Sequence, residues 1–303
     1  MTDDELTTLD VFSDPDKNLV NLIASGNDDD TEEENNPLTL QDNLYYTETE
    51  FNSLLLTNGY CSEDNLTILC LNIANLLSKL SSLNQFLSNL KGNKPDVIVV
   101  VETHIPCKQF AGYDRESLKK LIKGYTFFHE GRRAKRGGGV GIFVNDEFKS
   151  EPQLCEPGEK GVDFLEEVFE NVVVRIPGCI KVNQNQAKDL IIMAIYRQPD
   201  NGNTEVFLEH LDTLMSRVNK TSNELVLAGD FNLDLIRYSS HEPTAKYLDI
   251  MTNYGMIPRI VRPTRIKKQS AAIACVPVTM ENCNFHRNSP NSSSRNLYPT
   301  LIS

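Results

Sequence analysis

Two apolar runs that each end abruptly in a carboxylate most constrain the fold of this chain. Residues 96–104 read "DVIVVVETH" and residues 225–234 read "LVLAGDFNLD". Short continuous apolar runs of this kind are typical of strands buried on both faces. Since α/β proteins place their chemistry at the carboxyl ends of such strands, Glu102, Asp230 and Asn232 are predicted to lie at a functional edge. Taken alone, Gly-Asp-x-Asn also fits a simple Asx turn that closes a strand.

Polar side chains also follow three other apolar segments. The run "LTILCLN" ends at Asn72, the run "LIIMAIYRQP" carries Tyr196 and Arg197 at its end, and Thr264 lies in "IVRPTR". Carboxylates and amides at converging strand ends suit a hard cation such as Mg²⁺, which prefers oxygen ligands and retains several waters. Such an ion neutralises charge on a phosphate oxygen. The strand ends together are thus suited to bind a hard cation.

Periodic apolar residues predict helices and strands around these ends. Residues 125–129 and 139–144 look like a strand pair joined by the basic loop Arg132–Arg136. The glycines 137–139 suggest a phosphate loop, but no Gly-Lys-Ser/Thr follows and a strand is predicted next. Amphipathic helices are predicted over 76–90, 206–218 and 244–254, and residues 168–176 and 189–196 are rich in strand-forming residues. This alternation of strands and helices predicts an α/β fold.

The charge of the chain is concentrated at one end. The 303 residues carry a formal net charge of −12, of which residues 1–36 supply −11 through twelve acidic residues and one basic residue. With few large apolar groups, residues 1–36 are predicted to be a disordered acidic tail. A linker or short helical segment is predicted over 37–64, the folded domain over 65–273, and an irregular tail over 274–303. Because the folded part is nearly neutral, an anionic substrate is not excluded.

The cysteines and the N-terminus bear on location. The seven cysteines form neither a Cys-x-x-Cys pair nor a zinc-type spacing, which favours reduced thiols inside a cell. The chain begins with acidic residues, and no apolar run approaches the ~18 residues of a membrane span. We expect a soluble intracellular protein with no membrane partner.

The ordered segments "LCLN", "VIVVVETH", "RGGGVGIFV", "AIYRQP", "LAGDFNLD" and "PTR" resemble the endonuclease/exonuclease/phosphatase superfamily. The resemblance covers about two thirds of the chain and implies a four-layer α/β sandwich of the deoxyribonuclease I-like type. Within the superfamily, "GGGVGIFV", "YRQP" before a helix and "GDFNLDL" are most similar to the endonuclease domain of non-LTR (LINE-type) retrotransposons. That similarity implies Mg²⁺-dependent hydrolysis of DNA, with Mn²⁺ as a substitute, and makes the nucleus a plausible location.

The resemblance implies a role for each strand end. Glu102 would be the principal metal ligand, with Asn72 beside it. Tyr196 would contact the scissile phosphate, Asp230 would orient or activate the attacking water, and Asn232 would hold the phosphate. Simpler interpretations stay open for single residues, since Asn72 would also serve as a strand-end cap and Tyr196 as a half-buried aromatic residue with a wet hydroxyl.

Substrate contacts are implied for two further residues, and one part of the pattern is absent. Thr264 would contact the DNA backbone, and Arg197 would contribute to substrate binding. In the family, an Asp-His pair and a later Ser-Asp-His sequence supply the catalytic histidine, whereas here "IKKQSAAI" leads into "ACVPVTMENCNFHRNSPNSSS". The domain is therefore expected to be truncated near Ala274, to lack its last strands and to leave a sheet edge uncovered. Because a positioned acid or base contributes about 10²- to 10⁴-fold, hydrolysis is expected to be impaired.

Two alternatives remain open. One is a phosphatase or phosphodiesterase of the same superfamily with a different substrate, against which the basic loop Arg132–Arg136 argues. The other is a catalytically dead retroelement remnant that at most binds nucleic acid through its phosphates. No other histidine is predicted to replace the missing one; the histidines are His104, His129, His210, His241 and His286.

Overall fold

The computed structural model describes the chain in segments. They are residues 66–90, 94–105, 118–130, 137–155, 168–183, 186–199, 202–218, 223–235, 238–256, 265–267, 270–272 and 284–285. The predicted acidic tail 1–36, the predicted linker 37–64, the basic loop 132–136 and Thr264 lie outside these residues.

The first sheet has four strands in the order β1-β2-β4-β3. The strands are β1 (Ile68–Asn72), β2 (Val97–Val101), β3 (Tyr125–Glu130) and β4 (Val140–Asn145). β1 and β2 run parallel, so Asn72 and Val101 end side by side. β4 is antiparallel to both β2 and β3. The predicted pair 125–129 and 139–144 is therefore confirmed, and a strand, not a helix, follows the three glycines.

The second sheet is built on two long antiparallel strands, and its strand order is β11-β6-β7-β8 with β5 paired to β6. Its strands are β5 (Gln153–Leu154), β6 (Phe169–Asn183), β7 (Gln186–Arg197), β8 (Glu224–Asp230) and β11 (Asn284–Phe285). β8 runs parallel to β7. A separate antiparallel pair is formed by β9 (Arg265–Lys267) and β10 (Ser270–Ala272).

Three helices cover the sheets in the part of the chain that the structure describes: α1 (Leu76–Asn89), α2 (Thr204–Val218) and α3 (Glu242–Asn253). All three were predicted from apolar spacing. α1 begins where Asn75 accepts a hydrogen bond from the Ser78 amide at 3.2 Å, which is the usual way an Asn caps a helix. None of the described helices is long and apolar enough to cross a membrane.

Side-chain alternation along buried strands separates the core into three apolar layers. In β2, Val97, Val99 and Val101 pack between the two sheets, whereas Ile98 and Val100 pack beneath α1. In β8, Val226 and Ala228 face the first sheet, while Leu225 and Leu227 pack against α2 and α3. Helix, sheet, sheet and helices therefore form four layers, and the predicted four-layer α/β sandwich is confirmed.

The ends of the sheets bear on the predicted loss of strands. Among the described residues, β1 pairs with β2 alone and β8 pairs with β7 alone. β11 lies within the segment 274–303 that was predicted to be irregular, and it pairs antiparallel with Lys181 and Ile180 of β6. At least two residues of this segment therefore belong to the second sheet.

Candidate active site

The alternation of side chains along the strands brings the predicted polar residues to one end of the sandwich. Ala194 and Ala228 face the layer between the sheets, so Tyr196 and Asp230, two residues further along their strands, face it as well. Tyr196 and Asp230 are also register partners in the parallel pair β7 and β8. Asn72 follows Cys70 on the same face of β1. Side chains from both sheets therefore converge where these strands end.

A single amide links the carboxylates of the two sheets. Asn72 Nδ2 donates to Glu102 Oε1 at 3.0 Å and to Asp230 Oδ2 at 3.3 Å. Asn72 is exposed, whereas Glu102 and Asp230 are half-buried. The structure thus brings together Asn72, Glu102 and Asp230, as the sequence predicted.

Backbone hydrogen bonds hold Glu102 beside Asn72. The chain leaving β1 donates from Ile73 to Val101 O at 3.0 Å and from Asn75 to Glu102 O at 2.8 Å. Glu102 itself has φ +55°, a left-handed conformation that is uncommon for a residue other than glycine. Such conformations cost of order 1–3 kcal/mol and persist where the surroundings impose them. The position of Glu102 is therefore set by the neighbouring chain.

Gly229 lets β8 pass close to β7 just before the carboxylate. A Cβ at this position would lie 1.8 Å from the carbonyl oxygen of Ile195, and Gly229 has φ +144°. No side chain fits there, and only glycine adopts this backbone angle readily. The glycine of the Gly-Asp-x-Asn sequence is thus required by the contact that places Asp230 beside Tyr196.

The loop after β8 is fixed by Arg197. Its Nε donates to Phe231 O and its Nη2 to Asn232 O, both at 2.6 Å, and its Nη1 donates to Thr204 Oγ1 at 3.2 Å. In return, Asn232 Nδ2 donates to Arg197 O at 2.6 Å. The amide of Asn232 also donates to Asp230 Oδ1 at 3.0 Å, so the Asx turn considered in the sequence analysis is present within the candidate site.

The guanidinium of Arg197 lies inside the candidate site. Arg197 is 4% exposed and binds the backbone of the loop that carries Asn232, and the substrate contact expected for it stays a prediction. A buried guanidinium satisfies several carbonyl oxygens at once because its donors form a rigid fork. The structure therefore supports a positioning role for Arg197 within the candidate site.

The environment of Asp230 changes its acidity. Burial raises the pKa of Asp230 above its ordinary value, and the nearby charge of Glu102 acts in the same direction. Hydrogen bonds from the amide of Asn232 and from Asn72 oppose this rise. Asp230 therefore binds a proton more readily than an ordinary aspartate, which suits a group that accepts a proton during hydrolysis.

The donor set fits a hard divalent cation. Glu102 and Asp230 supply carboxylate oxygens, whereas Asn72 turns its Nδ2 toward both of them and would add its amide oxygen only after the amide group flips. Among the described residues there is no group of three or more His, Cys, Asp and Glu side chains that would hold a metal by themselves. Mg²⁺ is commonly bound by one or two carboxylates and completes its shell with water and substrate phosphate oxygens. The residues present match that pattern better than a zinc site with nitrogen and sulfur ligands.

Two residues near the site were not predicted to belong to it. Glu170 on β6 is fully buried and is the register partner of Tyr196. Glu170 lies two and four residues before Val172 and Val174, so all three side chains are on the same face of β6. This alternation was the sequence signal that could have revealed Glu170. His104, which was not predicted to replace the missing histidine, lies with its Nε2 3.9 Å from Glu102 Oε2.

Two sheets pack face to face between helices, and carboxylates of both sheets lie at one end, so the fold is an α/β sandwich with a polar site where its sheets meet. The model of the Endonuclease/Exonuclease/phosphatase family matches residues 69–297, about three quarters of the sequence. The chain belongs to this family. The match continues past the predicted domain end at residue 273. None of the curated proteins compared with the sequence matches it.

Solved structures similar to this chain include a phosphatase, an endonuclease and one catalytic domain. The 3′ phosphatase NExo from Neisseria, bound to a product DNA hairpin, is 15% identical, with 71% of this chain and 86% of that chain covered and a TM-score of 0.48. An AP endonuclease from Archaeoglobus fulgidus is 16% identical, with 70% of this chain and 86% of that chain covered and a TM-score of 0.44. The catalytic domain of APE2 from Xenopus laevis is 19% identical, with 61% of this chain and 67% of that chain covered and a TM-score of 0.41. These identities are too low to transfer a substrate to this chain.

Proposed function

We propose that this chain is a Mg²⁺-dependent DNA endonuclease of the kind encoded by non-LTR retrotransposons, and that it hydrolyses one phosphodiester bond to leave a nick. The observation that carries the proposal is the group formed by Asn72, Glu102 and Asp230 where the two sheets meet. Family membership supports hydrolysis at phosphorus. The retrotransposon type rests on the segments "GGGVGIFV", "YRQP" and "GDFNLDL".

The roles of the metal ligands and of the base follow from the family resemblance, and the positions of these residues support them. Glu102 and Asn72 would hold Mg²⁺, or Mn²⁺ with the same oxygen donors. When bound, the ion would neutralise charge on the scissile phosphate and on the departing oxygen. Asp230 accepts a proton from the attacking water, whose oxygen forms the new bond to phosphorus as the ester oxygen leaves. Its raised pKa favours this role, because a base is most effective when its pKa approaches the working pH.

Tyr196 and Asn232 would position the phosphate. Tyr196 is 5% exposed and lies beside Asp230 in the register of the second sheet, so its phenol is held on a rigid strand. Asn232 has φ +48° and is fixed by Arg197. Arg197 thus acts through Asn232 and is a positioning residue in this proposal. Thr264 would contact the DNA backbone.

Turnover is expected to be slow. Residues 265–303 contain one histidine, His286, and no Asp-His sequence. The leaving oxygen would then take its proton from solvent, and a positioned acid or base is worth about 10²- to 10⁴-fold. We therefore expect DNA nicking that depends on Mg²⁺ but is weak.

A substrate panel tests this proposal. Supercoiled plasmid, a phosphoinositide, a phosphomonoester and polyadenylated RNA would be incubated with the chain at equal Mg²⁺. We expect DNA nicking that is lost in Glu102→Gln and retained in Glu147→Gln, a matched change at an exposed residue at the far end of β4. Phosphate release from the lipid or the monoester without DNA nicking would instead support another member of the same superfamily.

A further inference from the structure

We propose that Glu170 is a positioning residue that ties the two sheets together at the site and, through Gly139, fixes Glu102 relative to Asp230. The consequence for catalysis rests on the proposed function. The tie itself is a statement about the fold and can be tested separately.

Glu170 occupies a place where an apolar residue would be expected. It is fully buried, and it shares its strand face with Val172 and Val174 in the layer between the sheets. Burial of a carboxylate is unfavourable unless hydrogen bonds compensate it, and acidic side chains are rarely buried without a partner. A Val or Leu in this position would instead add to the core. The cost of burying this carboxylate therefore has to be offset by what it binds.

The carboxylate binds the first sheet. The amide of Gly139, which directly precedes β4, donates to Glu170 Oε2. β4 belongs to the first sheet and β6 to the second, so this hydrogen bond crosses the layer between them. The tie lies at the site because Glu170 is opposite Tyr196, and opposed residues of an antiparallel pair have Cβ atoms about 4.5–5.5 Å apart.

The turn at Gly138 and Gly139, which Glu170 binds, is also hydrogen-bonded to the residues that follow Glu102. The Thr103 amide donates to Gly139 O at 3.1 Å, and the His104 amide donates to Gly138 O at 2.8 Å. A Cβ on Gly139 would lie 2.3 Å from Thr103 Oγ1, so the two segments are in close contact. A continuous series of hydrogen bonds therefore runs from Glu170 through the glycine turn to the residues that follow Glu102.

Among the described residues, hydrogen bonds at two places join the sheets at the site. The bond from Asn72 to Asp230 is exposed and 3.3 Å long, so water competes for both groups. The bond from Gly139 to Glu170 is buried, where no water competes and a hydrogen bond constrains geometry more strongly. We infer that the buried hydrogen bond from Gly139 to Glu170 sets the distance between Glu102 and Asp230, and that the Asn72 side chain adapts to this distance.

Two substitutions and a control test the tie. Glu170→Met keeps the length of the side chain and removes the acceptor, whereas Glu170→Gln keeps an oxygen that accepts from the Gly139 amide. Glu224→Gln is the control, since Glu224 lies at the opposite end of β8 and pairs with Lys188 at 2.7 Å. Thermal unfolding establishes that each variant is folded.

Amide hydrogen exchange measures the tie, and Mn²⁺ binding without DNA measures its effect. In Glu170→Met we expect faster exchange at Gly139, Thr103 and His104 and Mn²⁺ affinity reduced about tenfold or more, as for other residues that orient metal ligands. The kcat for nicking would fall with little change in KM for DNA. Glu170→Gln should keep the amide exchange rates and the Mn²⁺ affinity close to those of the wild type, and Glu224→Gln should change neither quantity.

The outcomes separate the two claims. Wild-type exchange at Gly139 and Thr103 in folded Glu170→Met would overturn the tie, whatever the activity. Faster exchange with unchanged Mn²⁺ affinity would overturn the effect on Glu102. A wild-type chain that neither binds Mn²⁺ nor nicks DNA would overturn the proposed function, while the exchange result alone would still decide the tie.

Discussion

Arg197 and Asn232 bind each other through two hydrogen bonds that run in opposite directions. Arg197 Nη2 donates to Asn232 O, and Asn232 Nδ2 donates to Arg197 O, both at 2.6 Å. One residue ends β7 and the other follows β8, so the pair joins the ends of two neighbouring strands. The side-chain amide expected to hold the phosphate is thereby bound to the main-chain carbonyl of Arg197, while the buried guanidinium binds the main chain of Asn232.

Replacing Arg197 with Lys tests this interpretation. A single ammonium group cannot reproduce the fork that reaches both Phe231 O and Asn232 O. Since hydrogen bonds to charged groups are worth about 1.5–3 kcal/mol, we expect the free energy of unfolding in urea to fall by about that amount. Arg175→Lys, at a partly exposed ion pair with Asp189, should cost less than about 1 kcal/mol. An unchanged stability with a raised KM for DNA would instead favour the substrate contact that we predicted from the sequence.

Gly229 should tolerate no side chain. We expect Gly229→Ala to lower the free energy of unfolding by about 3 kcal/mol or more, because its Cβ would overlap the Ile195 carbonyl and its φ is unfavourable. Gly255→Ala is a matched control with positive φ and open space around the new Cβ, and it should cost about 1–2 kcal/mol. Equal losses in the two variants would mean that the close approach of β8 to β7 is not important.

The raised pKa of Asp230 predicts how stability depends on pH. A carboxyl group whose pKa is higher in the folded state favours folding when protonated, below its unfolded pKa, and this contribution is lost as the pH rises through the folded pKa. At neutral pH the ionised Asp230 therefore opposes folding. We expect Asp230→Asn to raise the unfolding temperature at pH 7 and to have a smaller effect near pH 4, while nicking is lost. A variant that is destabilised equally at both pH values would contradict this account.

The strand ends were predictable because a buried apolar run followed by a polar residue is a local pattern. Glu102 and Asp230 carried that signal, and both lie at the candidate site. Their convergence followed only from the general rule that such strand ends meet at one edge, since Asn72 and Asp230 are 158 residues apart and meet only when two sheets pack. The resemblance to a known family added a role for each residue.

Other features depend mainly on tertiary packing. Arg197 ends β7 and was expected to contribute to substrate binding, yet its guanidinium is buried against the loop after β8. Glu170 lies among other acidic residues in "EEVFENVVV", so composition did not indicate its burial, and only its alternation with Val172 and Val174 carried a signal. The two-residue strands β5 and β11 are too short for a periodic signal. Predictions for Thr264 and for the basic loop 132–136 remain predictions, because both lie outside the described residues.

The most direct test of the central claim is nicking of supercoiled plasmid by the full chain, measured with Mg²⁺, with a chelator in place of Mg²⁺, and with Glu102→Ala. We predict slow conversion of supercoiled to nicked plasmid that is abolished both by the chelator and by the substitution. Nicking that persists in Glu102→Ala, or a folded wild-type chain that leaves the plasmid intact at high Mg²⁺ and long incubation, would contradict a working cation-dependent site at Asn72, Glu102 and Asp230.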